Sequence, residues 1–324
     1  MNTPLDNPIF FEPYYKSVIW GGEAIAALKG ERIDIDNVGE SWEISAVPGY
    51  ESRVADGSLS GLSIVELMER YGADFTGSTV AERFPGTFPL LIKLIDARAD
   101  LSVQVHPDDA LAAARHRSPG KTEMWYVVDA IPGSRIYSGL CAALSPDEYP
   151  AAAADGSIME RIAAHEAAPG QFYFIPAGTL HAIGAGTLIA EIQQTSDITY
   201  RVYDYNRTDA QGNKRELHTE LAADAIDYRF PNPVHPTARR YDDSTPAAVN
   251  CRYFNVDYLA KGECAVGGNP GSFTIIMALG GEAELIGREG EKTLLRRGST
   301  CMLAAAAPAH TLAATGATLV ITIK

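Results

Sequence analysis

The sequence predicts a mainly β protein, two β domains with a few short helices, and three observations carry the expectation. The 324 residues include 29 Gly and 19 Pro, spread throughout, and the segments between them are short and rich in β-branched and aromatic residues, the pattern of sandwiches and barrels. Helical signals are few. The length suits two domains at about 150 residues each, and Pro231, Pro233 and Pro236 break any regular element near two thirds of the way along.

In chain order, residues 63–71 open with Ser and run amphipathically, so a helix is expected there. Residues 88–95 and 101–106 read as strands, a helix over 108–117 follows a Pro-Asp entry, and 124–128 reads as a strand. A helix is expected over 155–164, strands over 171–175, 188–193 and 198–205, and a helix over 215–225. The Pro-rich stretch then places the boundary near 231–248, giving domains 1–235 and 236–324. Residues 250–324 read as short strands separated by Gly267-Gly268 and Gly280-Gly281. Residues 170–181 and 298–310 share one outline: Gly, apolar strand, Ala/Pro-rich turn, His.

Composition narrows the partners. With 46% hydrophobic and 21% charged residues the chain is an ordinary globular one. Lys+Arg 27 against Asp+Glu 41 gives a net charge of -14, the opposite of the basic footprint that nucleic acid or an anionic membrane calls for. A small anion stays possible, because a few local cations dominate one cleft whatever the net charge. Cys141, Cys251, Cys264 and Cys301 form no C-x-x-C pair, residues 1–11 lack a secretory pattern, and the apolar stretch 300–323 is interrupted by Pro308, His310 and Gly316. A cytoplasmic protein, monomeric or a weak homodimer, is the expectation.

Chemistry concentrates in three segments. As a strand, residues 101–107 place Ser102, Gln104 and His106 on one face and Leu101, Val103 and Val105 on the other. Burying Gln beside His costs free energy unless each has a partner, and a metal ion or ligand is one such partner. A strand beginning at Lys121 puts Lys121, Glu123 and Trp125 on one face, a pattern that a solvated face would share. Residues 169–183 carry the sharpest signal: a five-residue strand enters a Pro176-x-Gly178 turn that delivers His181 three residues later.

This Gly-x5-Pro-x-Gly-x2-His run resembles the second motif of the cupin superfamily, lacking its final Asn, where Ala185 stands. The first motif would supply His-x-His and then Glu; here Gln104-x-His106 and Glu123 hold those places. One amide oxygen, two imidazoles and one carboxylate suit a borderline ion such as zinc, with a position open to water or substrate. The architecture implied is a pair of cupin-like jelly-roll β-barrel domains. Beyond His181, alternation groups Glu191 with Gln193, and Arg201 with Tyr203 and Tyr205.

At these residues the sequence resembles the type I mannose-6-phosphate isomerases of the short bacterial kind. The likeness runs from residues 8–22 through 39–45, 101–109 and 120–129 to 172–207, and LSVQVHPDD and SDITYRVYDYNR are its most specific runs. The resemblance makes Gln104, His106, Glu123 and His181 the ligands of one Zn2+, and Arg201 the catalytic arginine. It sets Lys121, Glu191 and Asp197 around the sugar, and points Ser102, Lys121 and Arg207 toward the phosphate. It implies interconversion of mannose 6-phosphate and fructose 6-phosphate through a cis-enediol. The base stays open among Glu191, Asp197 and a hydroxide on the metal. In 236–324 His310 lacks a partner ligand strand, so a metal-free structural domain is expected. A non-catalytic sugar-phosphate-binding cupin has no need of Arg201 beside a metal, and an iron or manganese oxygenase would not place Gln104 in the first ligand position.

Overall fold

The alternating direction of side chains along the strands sorts the molecule, a computed structural model, into four layers. It describes residues 3–208, 212–238 and 247–324. A seven-stranded sheet runs, in spatial order, Tyr14–Gly22, Val38–Ile44, Leu90–Ala97, Thr187–Gln194, Glu123–Ala130, Gln171–Ile175 and Thr237–Ala238. Facing it is a five-stranded sheet of Tyr200–Tyr203, Val103–Val105, His181–Ile183, Arg135–Leu140 and Ile162–Glu166. Ile95, Trp125, Val127, Tyr173 and Ile189 of the first meet Ile136 and Ile183 of the second in one core.

The residues in between on the same strands point the other way. Ile92, Leu94, Met124, Tyr126 and Ile192 pack on Val256, Ile275, Met277, Leu319 and Ile321 of a six-stranded sheet. Every second residue of the central strands therefore serves a different core, which is why these strands are buried on both faces and read as nearly continuous apolar runs. A four-stranded sheet closes the stack, with Val266, Leu285, Leu295 and Leu312 against Ile276, Cys301 and Val320. The Ile9–Phe10 strand pairs with Cys301 and Met302, so the N-terminus is stitched into the six-stranded sheet. Helices Asp109–His116, Tyr149–Asp155 and Thr219–Ala225 lie on the far face of the five-stranded sheet, where Val103, Val105 and Val202 are buried.

The mainly β expectation holds, and the six expected strands are present, 171–175 with the expected ends and the other five with shifted ones. Ser63 and Glu66 form a reciprocal capping box for Ile64–Tyr71, and Asp108 caps Asp109–His116 by accepting from Leu111 N. Two helix expectations are corrected. Residues 155–164 are not one helix: the helix is Tyr149–Asp155, begun by Pro150 and ended at Gly156 with φ +85°, and Ile162–Glu166 is a strand. Residues 215–218 are not helical; the helix begins at Thr219. The paired outlines at 170–181 and 298–310 match locally: His181 and His310 each open a strand and each bond through Nδ1, at 2.8 Å, to the carbonyl two residues back. Part of 231–248 lies outside the described residues.

Candidate metal centre and active site

Strand register assembles the site. His181 sits directly across from Gln104 on one side, and Arg201 across from Gln104 on the other. Glu123 opens the strand in the facing sheet. The entry to His181 depends on Gly178, whose φ is +88° and whose N–H donates to the His106 carbonyl at 2.9 Å. A Cβ there would stand 3.1 Å from the Ala225 carbonyl oxygen, so the turn joins both histidine segments only with glycine in that place.

The donor atoms converge. His106 Nε2 lies 3.4 Å from Glu123 Oε2, and His181 Nε2 lies 3.4 Å from Glu123 Oε1. The Gln104 amide is 3.2 Å from His181 Nε2, and either its oxygen or its nitrogen can be the atom so placed. His106 Nδ1 bonds the Ile198 carbonyl at 2.9 Å and His181 Nδ1 the Thr179 carbonyl at 2.8 Å. Both rings thus carry their proton on Nδ1 and turn an Nε2 lone pair toward Glu123, the usual backing of a ligating imidazole. His106, Glu123 and His181 are at most 1% exposed, and Glu123 Oε1 is a buried acceptor without a hydrogen-bond partner.

Charge prepares the same groups. Burial first, then the Lys121 ammonium, pushes His106 down to about 4, and burial also lowers His181. Burial works against the Glu123 carboxylate, but the neighbouring Lys121 ammonium heads the interactions that outweigh it and hold the group well below its usual range. Neutral imidazoles beside an ionised carboxylate are the forms that ligate a divalent cation. Among the described residues His106, Glu123 and His181 are a grouping with metal-ligand spacing.

Beside this cluster opens a cavity of about 270 Å3, lined by Ser102, Gln104, Lys121, Glu191, Asp197 and Arg201. Lys121 bonds Glu123 Oε2 and stands 3.0 Å from His106 Nε2. Glu191 is buried; Oε1 accepts the Trp125 indole N–H at 2.9 Å, and Oε2 lies 3.3 Å from Lys93 Nζ. Asp197 is exposed. Arg201 donates to the Glu216 carbonyl at 2.8 Å, while its Nε is a buried donor without a partner.

The structure therefore gathers the expected residues with one exception. Arg207 is not among the lining residues; its guanidinium binds Asp204 and the Asp100 carbonyl and covers the Tyr205 ring. Lys16, Glu40, Trp42, Lys93 and Arg215 line the cavity and escape the sequence reading. Lys93 is buried against Glu40 at 3.4 Å and the Trp42 ring at 4.9 Å; a lone lysine within the apolar run Leu90–Ala97 is the signal that would find it.

Two facing antiparallel sheets holding a buried His-Glu-His cluster beside a cation-rich cavity define a cupin-type β protein. The family model "Phosphomannose isomerase type I, catalytic domain" matches residues 9–129. Mannose-6-phosphate isomerase ManA of Bacillus subtilis is 36% identical over 285 residues, 87% of this chain and 88% of that protein. The mannose-6-phosphate isomerase of Streptococcus mutans is 39% identical over 229 residues, 71% of each. A crystal structure of the Bacillus subtilis mannose 6-phosphate isomerase superposes with a TM-score of 0.85 at 33% identity, covering 98% of this chain and 99% of that one. The chain belongs to the type I mannose-6-phosphate isomerase family.

Proposed function

We propose that the protein interconverts mannose 6-phosphate and fructose 6-phosphate through a cis-enediol, with Zn2+ held by Gln104, His106, Glu123 and His181. The observation that carries this reading is the convergence of two Nδ1-anchored imidazoles and an unpartnered carboxylate oxygen, joined through Gln104 and Lys121 to a cavity rich in fixed cations. Bound there, the ion would supply Lewis acidity toward the sugar oxygens at C1 and C2.

The remaining work falls to the chain. In the aldose-to-ketose direction the C2 proton leaves and O1 gains one; O2 then loses its proton and C1 gains one, so atoms balance. Glu191 is the base in this reading, because Trp125 and Lys93 orient its buried carboxylate. Asp197, exposed at the rim, would hold sugar hydroxyls. Arg201, level with Gln104, places positive charge where the enediolate develops. Lys121 Nζ, 4.0 Å from Glu191 Oε1, would donate to a sugar oxygen beside the base. Ser102 would face the phosphate, whose binding orients C1 and C2.

In the same reading residues 1–235 carry the catalysis and 236–324 are structural, and the protein works in the cytoplasm as a monomer or weak homodimer. Among the described residues no helix is long and apolar enough to cross a membrane. Incubation with mannose 6-phosphate in D2O, followed by NMR, tests the proposal: fructose 6-phosphate with deuterium at C1 is expected. No ketose would overturn the function, and ketose free of deuterium would overturn the proton route.

A further inference from the structure

The strand ladder that sets Arg201 beside Gln104 also defines the far end of the cavity. Gln104 pairs with Arg201 and, past an irregular step, Val103 with Tyr203; the strands end there, and Ser102 and Asp204 are the next residues of the two chain segments, Ser102 about 7 Å from Gln104 at the usual strand rise. Asp204 is 5% exposed and accepts Arg215 Nε at Oδ2, 2.8 Å, and Arg215 Nη2 at Oδ1. This two-point grip fixes the plane of Arg215, which lines the cavity, while Arg207 braces Asp204 from outside it. One carboxylate thus faces two guanidinium groups, and positive charge remains to spare. Arg201 feels it: burial foremost, then Arg215, disfavours its charged form. Its unpartnered buried Nε adds a donor at the same wall.

We infer that Arg215, gripped by Asp204 and facing the Ser102 end of the ladder, receives the phosphate of the substrate, and that Arg207 is a brace for Asp204 rather than a phosphate ligand. The inference rests on the isomerase reading above and deepens it. The separation agrees with the substrate, whose phosphate lies four carbons beyond C2, so Arg201 is left to the C1 and C2 end. Residues 216–218 complete the arrangement: Arg201 N–H donates to His218 Nδ1 at 2.9 Å and His218 N–H returns to the Arg201 carbonyl at 2.8 Å.

The test compares full-length Arg215→Met, Arg215→Lys and Arg207→Met with the parent protein. Turnover of mannose 6-phosphate is measured, together with calorimetric binding of inorganic phosphate, which needs no turnover. Arg215→Met is expected to weaken KM and phosphate binding in parallel by about tenfold or more, the worth of a charge-assisted fork, with a smaller change in kcat and unchanged metal content. Arg215→Lys keeps the charge but loses the fork, and weakens both by less; should the methionine variant not fold, this loss alone carries the result. Wild-type KM and phosphate affinity in both Arg215 variants would overturn the proposal, as would a larger loss in Arg207→Met than in Arg215→Met. Parent protein that binds phosphate through Arg215 yet isomerises nothing would support the phosphate seat and overturn the isomerase reading.

Discussion

Deleting the Glu123 carboxylate while its partners stay in place probes the charge arrangement at the heart of the site. Glu123 is 0% exposed and contacts Lys121, His106 and His181. In chelator-treated protein, Glu123→Leu leaves the Lys121 ammonium, 3% exposed, with Glu191 Oε1 4.0 Å away. Removing one member of a buried ion pair costs about 3–5 kcal/mol. At about 2 °C per kcal/mol for a chain of this size, the melting temperature falls by roughly 6–10 °C. Lys121→Met strands the carboxylate instead and costs a similar amount. The double variant removes both charges for groups of comparable volume, so it melts close to the parent, and the single losses do not add. Scanning calorimetry of the four chelated proteins closes this cycle. Additive losses, or a Glu123→Leu protein that melts with the parent, would refute the buried-pair reasoning.

Other outcomes follow from the same geometry. His181→Ala loses bound metal and turnover together, read by metal analysis and a coupled assay; an active, metal-free variant contradicts the ligand assignment. Arg201→Ala keeps its metal but loses about 100-fold or more in kcat, and unchanged kcat removes Arg201 from the chemistry. His310→Ala gives up a buried bond to the Pro308 carbonyl, lowers the melting temperature by a few degrees for about 1–3 kcal/mol, and leaves metal content and kcat alone. Asp109 accepts from Tyr253 Oη, Gln194 Nε2 and Gly120 N, which outweigh burial and hold its carboxyl below the usual value. A depressed folded value means that this stabilisation is complete above the unfolded carboxyl pKa of about 3.9 and is lost as pH falls through the folded one. The melting gap between the parent and Asp109→Asn therefore narrows on acidification below about pH 4.

What the sequence reveals about the site depends on how far apart the cooperating residues lie in the chain. His181 is legible because strand, proline and a glycine forced to positive φ act within twelve residues. Gln104 with His106, and Glu123, are legible through period-two alternation, which assigns a face but not what covers it. Glu40 and Arg215 join the cavity through cross-strand and loop contacts that no local pattern encodes, and Lys93 shows in the sequence only as the one lysine of an apolar run. Arg207 shows the converse: its place in the family run suggests the phosphate, but Asp204 and the Asp100 carbonyl take its guanidinium. The helix errors have local causes that compete with periodicity. Gly156 in the left-handed region ends the helix just where the expected one over 155–164 begins. Residues 215–218 are held off helical geometry by Asp204 and by the Arg201 backbone.

The central claim, a metal-dependent mannose-6-phosphate isomerase built on Gln104, His106, Glu123 and His181, is tested most directly by one coupled assay. The purified protein is given mannose 6-phosphate as prepared, after exhaustive chelation, and after zinc is restored. Isomerisation is expected to vanish with the chelator and to return with zinc. Full activity in protein shown to be free of metal, or no activity in folded, zinc-replete protein, would contradict it.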